Sequence, residues 1–130
     1  MPIKKLTDFQ KALAGPNILL SSKPDDPKLD LTPEMSIHYN ELKPGSEVRP
    51  HVHNRVEVYL FLTGRAKVMT GDEIEEVTTG DVAIAPIGTP HAIKVIGNET
   101  LRFYAFNAPP ASTCPMSPAP EEVLWKWDRS

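Results

Sequence analysis

Gly45-Ser46-Glu47-Val48-Arg49-Pro50-His51-Val52-His53-Asn54-Arg55-Val56-Glu57, running on to Gly64, and Gly80-Asp81-Val82-Ala83-Ile84-Ala85-Pro86-Ile87-Gly88-Thr89-Pro90-His91 are the two stretches on which the reading of this chain turns. Three of its four histidines lie in them. Residues two apart in a strand face the same side, so His51 and His53 project together. Glu57 has the same parity but, at ~3.3 Å per residue, stands about 13 Å beyond His53 on a straight path. These groups can meet at one ion only if the chain bends at Asn54-Arg55 and His91 arrives from a different strand. A closed barrel, where inward-facing residues of several strands converge, satisfies both conditions.

The flanking sequence supplies the strands. Met35 to Leu42 reads as one, ended by Lys43-Pro44-Gly45, where proline fixes φ and glycine permits φ > 0. Val52 to Thr63 is the strongest strand signal, followed by Arg65 to Thr70, a Gly71-Asp72 hairpin turn and Ile74 to Thr78. Val82 to Ala85, His91 to Ile96 and Leu101 to Asn107 complete the series. Short strands at this spacing, punctuated by glycine, predict an all-β sandwich or barrel. No helix of crossover length separates them, which argues against a parallel α/β sheet.

Outside this block, Leu6 to Leu13 is expected to form a short helix with a Thr7/Gln10 capping box and Phe9 on its apolar face. Ile18 to Ser21 is a candidate edge strand, and Ser22 to Asp30 reads as a loop. Pro109 to Pro120 holds five prolines and is expected to strap across the surface. Both tryptophans follow in Val123-Leu124-Trp125-Lys126-Trp127, a tail expected to dock on the barrel or on a partner, as strand or as helical turn. The resulting plan is one domain: residues 1–34 an N-terminal helix and loop, 35–107 the barrel, and 108–130 the proline-rich strap and aromatic tail.

Composition narrows the function. A chain of 130 residues can bury roughly two-thirds of its unfolded surface, enough for one core. Its net charge of −3 and the absence of any Lys/Arg block argue against nucleic acid. No apolar run approaches the ~20 residues of a membrane helix, and no secretory signal follows Met1. The lone Cys114 forms no internal disulfide and, without a partnering base, is not a catalytic thiol. A cytoplasmic setting is the expectation.

His51, His53, Glu57 and His91 form a mixed nitrogen and oxygen ligand set. That set suits one divalent transition metal (Fe, Mn, Ni or Zn) rather than Ca or Mg, which prefer oxygen. Four protein ligands on a six-coordinate ion leave two positions for water, substrate or O₂. Structural zinc would use a closed tetrahedral set, usually with cysteine.

On these residues the chain resembles the cupin superfamily. The family's first motif, G-x5-H-x-H-x3-E-x6-G, is matched by Gly45, His51, His53, Glu57 and Gly64. Its second, G-x5-P-x-G-x2-H-x3-N, is matched by Gly80, Pro86, Gly88 and His91, with Val95 where the asparagine would stand. The resemblance implies a double-stranded β-helix, or jelly-roll barrel, that carries its metal on the four matched positions. The bland alternative is a metal-free cupin whose histidines line a polar pocket.

Other residues are assigned by parity. Tyr59 and Phe61 share the parity of Glu57, and Ile93 and Val95 that of His91, so all four are expected around the substrate pocket. Val95 in place of asparagine moves that pocket toward apolar character. His38 reads as an exposed or hydrogen-bonded strand histidine. Arg49, Arg55, Arg65, Lys67, Lys94 and Arg102 are candidates for holding an anionic group, most of them as solvated surface charges. Apolar Val58, Leu60 and Leu62 on the opposite face of the Glu57 strand require a second cover, from loops of this chain or from a second copy; a homodimer is expected.

The expected function is a metal-dependent enzyme on a small oxygen-rich molecule. A dioxygenase ranks first, and a redox-neutral isomerase, lyase or decarboxylase second. Glu57 is either a fixed ligand or a base. The competing class is a binding module without turnover. Metal analysis and O₂ uptake discriminate the two.

Overall fold

The structure, a computed structural model, describes residues 3–11 and 30–130. Among them run β1 (Asp30–Thr32), β2 (Met35–Leu42), β3 (Glu47–Val52), β4 (Val56–Thr63), β5 (Arg65–Thr70), β6 (Glu73–Val77), β7 (Val82–Ala85), β8 (His91–Ile96), β9 (Leu101–Ala108) and β10 (Ser117–Pro118). They form two five-stranded sheets with orders β1-β2-β9-β4-β7 and β10-β3-β8-β5-β6. Every pairing is antiparallel. The chain crosses between the sheets at β2–β3, β3–β4, β4–β5, β6–β7, β7–β8, β8–β9 and β9–β10. This is the expected jelly-roll barrel.

Alternation along the strands builds the core. In β4, Glu57, Tyr59 and Phe61 are buried while Val58, Leu60 and Leu62 are half-buried on the other face. In β9, Leu101, Phe103, Ala105 and Asn107 are buried. Leu42, Phe61, Val68, Ile93, Leu101 and Phe103 meet between the sheets in one cluster. Gly64 closes the β4–β5 crossing with φ +85°, and a Cβ there would lie 2.9 Å from Leu101 Cα and from the Thr100 carbonyl oxygen. Only glycine meets both demands. Gly71, with φ +61°, is the first residue of the two-residue loop between Thr70 and Glu73, a position a II′ hairpin gives to glycine.

Several expectations change. The strand expected to run unbroken from Val52 to Thr63 is split: β3 ends at Val52, β4 begins at Val56, and the two lie in different sheets. The bend demanded by the Glu57 distance is this sheet crossing. The helix α1 spans Leu6–Lys11; Leu13 and the edge strand at residues 18–21 lie outside the described residues. Thr7 sits inside the helix rather than capping it, and Asp8 instead accepts the Lys5 backbone N–H at 2.9 Å. Phe9 of α1 packs against Tyr39, with Ile37, Leu62 and Tyr104 beside it. The outer face of the barrel near Leu62 is thus covered by the chain's own N-terminal helix.

The strap is more than a surface passage. A short 3-10 turn, Ala111–Thr113, buries Ala111, and β10 pairs with β3 through Ser117↔Val52 and Pro118↔His51. The tail docks as helix α2 (Glu121–Asp128). Its Trp127 is 2% exposed and packs with Met69 and Ala92, whereas Trp125 remains 59% exposed with the Arg129 guanidinium 4.0 Å from its ring centre. The docking of the tail buries only one of its two tryptophans, because a single turn of helix presents only one of two residues spaced i,i+2 to the barrel.

Candidate metal centre

The four ligand candidates arrive from three elements and one crossing. His51 in β3 and His91 in β8 are direct cross-strand partners in the second sheet. His53 lies on the crossing to β4, and Glu57 is the second residue of β4 in the first sheet. The Pro86–Gly88 turn holds the crossing in place: the Gly88 N–H donates to the His53 carbonyl at 3.0 Å, and the Thr89 N–H closes the turn on Pro86 at 3.0 Å. The glycine and proline of the second stretch thus position the histidine of the first.

The donor atoms converge. One ligand atom from each of His51, His53, Glu57 and His91 lies within 4.8 Å of all the others. Ring centres are 4.1 Å apart for His51 and His91 and 4.6 Å for His53 and His91. His53, Glu57 and His91 are buried; His51 keeps an edge open to solvent.

The hydrogen-bond pattern tests whether these residues fit a cation. His51 Nδ1 lies 2.8 Å from the Arg49 carbonyl, His53 Nδ1 3.0 Å from that of Arg55, and His91 Nδ1 2.9 Å from that of Thr89. A carbonyl only accepts, so each Nδ1 carries the proton and each Nε2 of a neutral ring presents a lone pair. Yet His53 Nε2 stands 2.9 Å and His91 Nε2 3.1 Å from Glu57 Oε1. Lone pairs aimed at a carboxylate need positive charge between them. A divalent ion supplies it at all three rings at once, so the cluster fits a metal.

Electrostatics favour the same state. Burial, reinforced by the neighbouring His91, lowers the His51 pKa from 6.5 to about 4, so this ring is neutral at ordinary pH. Burial works to raise the Glu57 carboxyl, but hydrogen bonds and charge from His53 and His91 outweigh it and hold the group well below the carboxylate range. Burial and the Glu57 charge keep the Tyr59 hydroxyl protonated, and it donates to Glu57 Oε1 at 3.0 Å. Asn107 Nδ2 donates to Glu57 Oε2 at 3.2 Å. Asn107 Oδ1 in turn accepts from Arg55 Nε at 2.7 Å.

A cavity of about 50 Å³ opens beside the cluster. His51, Glu57, Tyr59 and Ile93 line it, as does His38 from β2. Phe61 and Val95 do not: both lie in the central hydrophobic cluster, 0% and 3% exposed, and their expected place at the pocket wall is corrected. β4 and β8 tilt across the barrel, so only the residues nearest the ligands reach the cavity. The apolar wall rests on Val48, Ile93, Phe103, Ala105 and Met116 rather than on Val95. Of the two readings for His38, exposed or hydrogen-bonded, the structure shows the second: it is 4% exposed, with Nε2 2.9 Å from Ser36 Oγ. Asn107 is the functional residue that sequence reasoning missed. Its signal was present: a polar side chain on the buried parity of Leu101, Phe103 and Ala105.

Fold and cluster together define a jelly-roll protein with a buried three-histidine, one-glutamate site able to bind a metal. Residues 38–107 match the cupin domain family, and the chain belongs to it. An uncharacterised protein of Methanocaldococcus jannaschii is 38% identical over 69 residues, 52% of this chain and 55% of that one. The match thus spans just over half of that relative's length. A double-stranded β-helix protein of Klebsiella pneumoniae shares the fold with a TM-score of 0.69 and 21% identity, over 90% of this chain and 97% of the other. A predicted oxalate decarboxylase of Thermotoga maritima aligns with a TM-score of 0.54 and 30% identity, over 56% of this chain and 64% of its own. Among the described residues no helix is long and apolar enough to cross a membrane.

Proposed function

We propose that this cupin is a metal-dependent enzyme acting on a small oxygen-rich organic molecule, with His51, His53, Glu57 and His91 as ligands of one divalent transition metal, and that its reaction is a dioxygenation. The observation that carries this reading is the state of Glu57. Oε1 receives Tyr59 and faces His53 and His91, and Oε2 receives Asn107. A carboxylate tied at both oxygens is a fixed ligand and a poor base. Chemistry that needs Glu57 as a base is disfavoured, and dioxygenation needs none there.

When bound, the metal would supply Lewis acidity and, as Fe(II), a place for O₂ to react with electrons drawn from the substrate. The chain supplies position and exclusion of water. Backbone carbonyls hold the three imidazoles in one tautomer, Tyr59 and Asn107 hold Glu57, and Val48, Ile93, Phe103 and Met116 keep the wall dry.

The likeness to the Thermotoga maritima protein supports a second reading, a redox-neutral decarboxylase, which would draw its proton from Tyr59 or His38 rather than from Glu57. Metal analysis of the purified protein followed by O₂ uptake with dicarbonyl and catechol-like compounds decides between them. Full iron occupancy with no uptake across the panel sinks the dioxygenase. Retention of stoichiometric metal by His51→Ala and His91→Ala sinks the ligand assignment itself.

A homodimer belongs to the same proposal. Val82, Ile84 and Ile87 are exposed on and beside β7, which ends its sheet, and such a face suits a second copy. A single-chain mass by light scattering would refute it. The lone Cys114 supports a cytoplasmic setting.

A further inference from the structure

Of the six cations considered for holding an anion, five serve the surface. Arg49 pairs with Glu47 and Asp128, Arg65 with Glu76, and Arg102 with Glu41. Lys67 reaches Ser130 and lies over the Trp127 ring, and Lys94 is exposed. Arg55 differs in every respect. It is 2% exposed and lines the cavity together with His51 and Glu57. Its Nε donates to Asn107, and its Nη1 donates to the carbonyls of Ala111 and Cys114. All three acceptors are neutral, and among the described residues no carboxylate lies within ion-pair distance of it. No described residue accepts from Nη2, and that atom is not among the polar groups sealed from solvent. Nη2 thus keeps two N–H donors without a partner among the described residues, on a side chain that borders both this cavity and the groove walled by Ala111 to Met116.

The charge balance points the same way. Glu57 and Arg55 are the two permanently charged residues lining the cavity, and they offset each other. Three neutral imidazoles add nothing, so a divalent ion leaves a surplus of two positive charges in a buried site. That surplus favours an anion. Shape and polarity limit which anion. A cavity of about 50 Å³ has room for about four water-sized groups. Much of its wall is apolar, through Val48, Ile93, Phe103, Ala105 and Met116. A phosphate would press several oxygens against hydrocarbon, whereas a carboxylate has only two, one of which Arg55 Nη2 can receive.

Resting on the metal-centre reading above, we infer that the ligand is a compact carboxylate whose carboxyl group is received by Arg55 Nη2 while its other end faces the histidine cluster. Arg55 is then a substrate-binding residue and Asn107 the residue that positions it.

The test uses full-length protein loaded with one equivalent of Mn²⁺, with pyruvate and its neutral amide as probes, read by calorimetry and thermal shift. Wild type is expected to prefer the acid, and Arg55→Gln is expected to reduce the acid-to-amide ratio at least tenfold at unchanged metal content. Arg55→Lys, which keeps the charge but loses the planar guanidinium that Asn107, Ala111 and Cys114 hold in place, is expected to fall between. An unchanged ratio in Arg55→Gln with full metal overturns the inference. Should the variants not fold, a crystal structure of wild type soaked with pyruvate serves instead. A carboxylate within hydrogen-bond distance of Arg55 Nη2 is expected, and a carboxylate bound elsewhere overturns the assignment. Metal content separates the two readings. Protein that takes up no metal defeats the metal-centre proposal, and metal-loaded protein with an Arg55-independent ratio defeats this one alone.

Discussion

Replacing Asn107 by alanine tests the link between strand β9 of the first sheet and the ligand cluster. Asn107 is 1% exposed and bridges two charged groups, accepting from Arg55 Nε at 2.7 Å and donating to Glu57 Oε2 at 3.2 Å. A hydrogen bond to a charged group contributes roughly 1.5–3 kcal/mol, and both are lost together. Arg55 keeps its contacts to the carbonyls of Ala111 and Cys114, which softens the loss. The expected destabilisation of the metal-free protein is about 3–4 kcal/mol. Metal affinity is expected to fall by about ten- to a hundredfold, since Glu57 loses the donor that orients it. Urea unfolding reads the first quantity and chelator competition the second. Asn107→Asp separates hydrogen bonding from packing. It keeps the acceptor for Arg55 but sets a carboxylate oxygen against Glu57 Oε2, so the metal-free variant should lose stability as both groups ionise. The reasoning is refuted if Asn107→Ala costs less than about 1 kcal/mol and leaves metal affinity within about twofold of wild type.

Three further outcomes follow from the packing and the charges. Trp127→Ala is expected to cost about 3–5 kcal/mol, while Trp125→Ala stays within about 0.5, measured by denaturant unfolding; equal costs would contradict the docking of α2 through one ring. Gly64→Ala combines a φ of +85° with a Cβ 2.9 Å from Leu101 backbone, so a loss of at least about 2 kcal/mol is expected, and a neutral effect on the melting temperature would argue against the close crossing. In chelator-treated protein the unfolded chain protonates His51 at 6.5 and the folded chain only at about 4, so stability falls as pH drops through that window. The loss is up to about 3 kcal/mol, less what solvent at the open edge screens, and Glu57 adds a loss of the same sign at lower pH. Stability that stays flat down to pH about 4, or a slope unchanged in His51→Gln, would contradict the buried neutral state.

Glycine, proline and the histidine spacing carried most of the fold's information. Local rules govern turns, so Gly64, Gly71 and the Pro86–Gly88 turn were legible one residue at a time, and the strands between them followed from alternation. The distance from His53 to Glu57 alone requires a bend, and the β3–β4 sheet crossing supplies it. Legibility stopped where a side chain's fate depends on residues far away in the chain. Parity placed Phe61 and Val95 at the pocket, yet barrel tilt puts both in the core. His38 looked ordinary in β2 and lines the cavity because β2 pairs with β9 beside it.

By itself, the sequence determined the barrel and the identity of the converging ligands, because both rest on short-range spacing and turn chemistry. Tertiary structure alone decided which of six cations enters the cavity, that Asn107 binds Glu57 to Arg55, and that one tryptophan rather than two is buried. Each of these depends on contacts between segments fifty or more residues apart, such as Arg55 with Asn107 and with Ala111, and local periodicity holds no record of them.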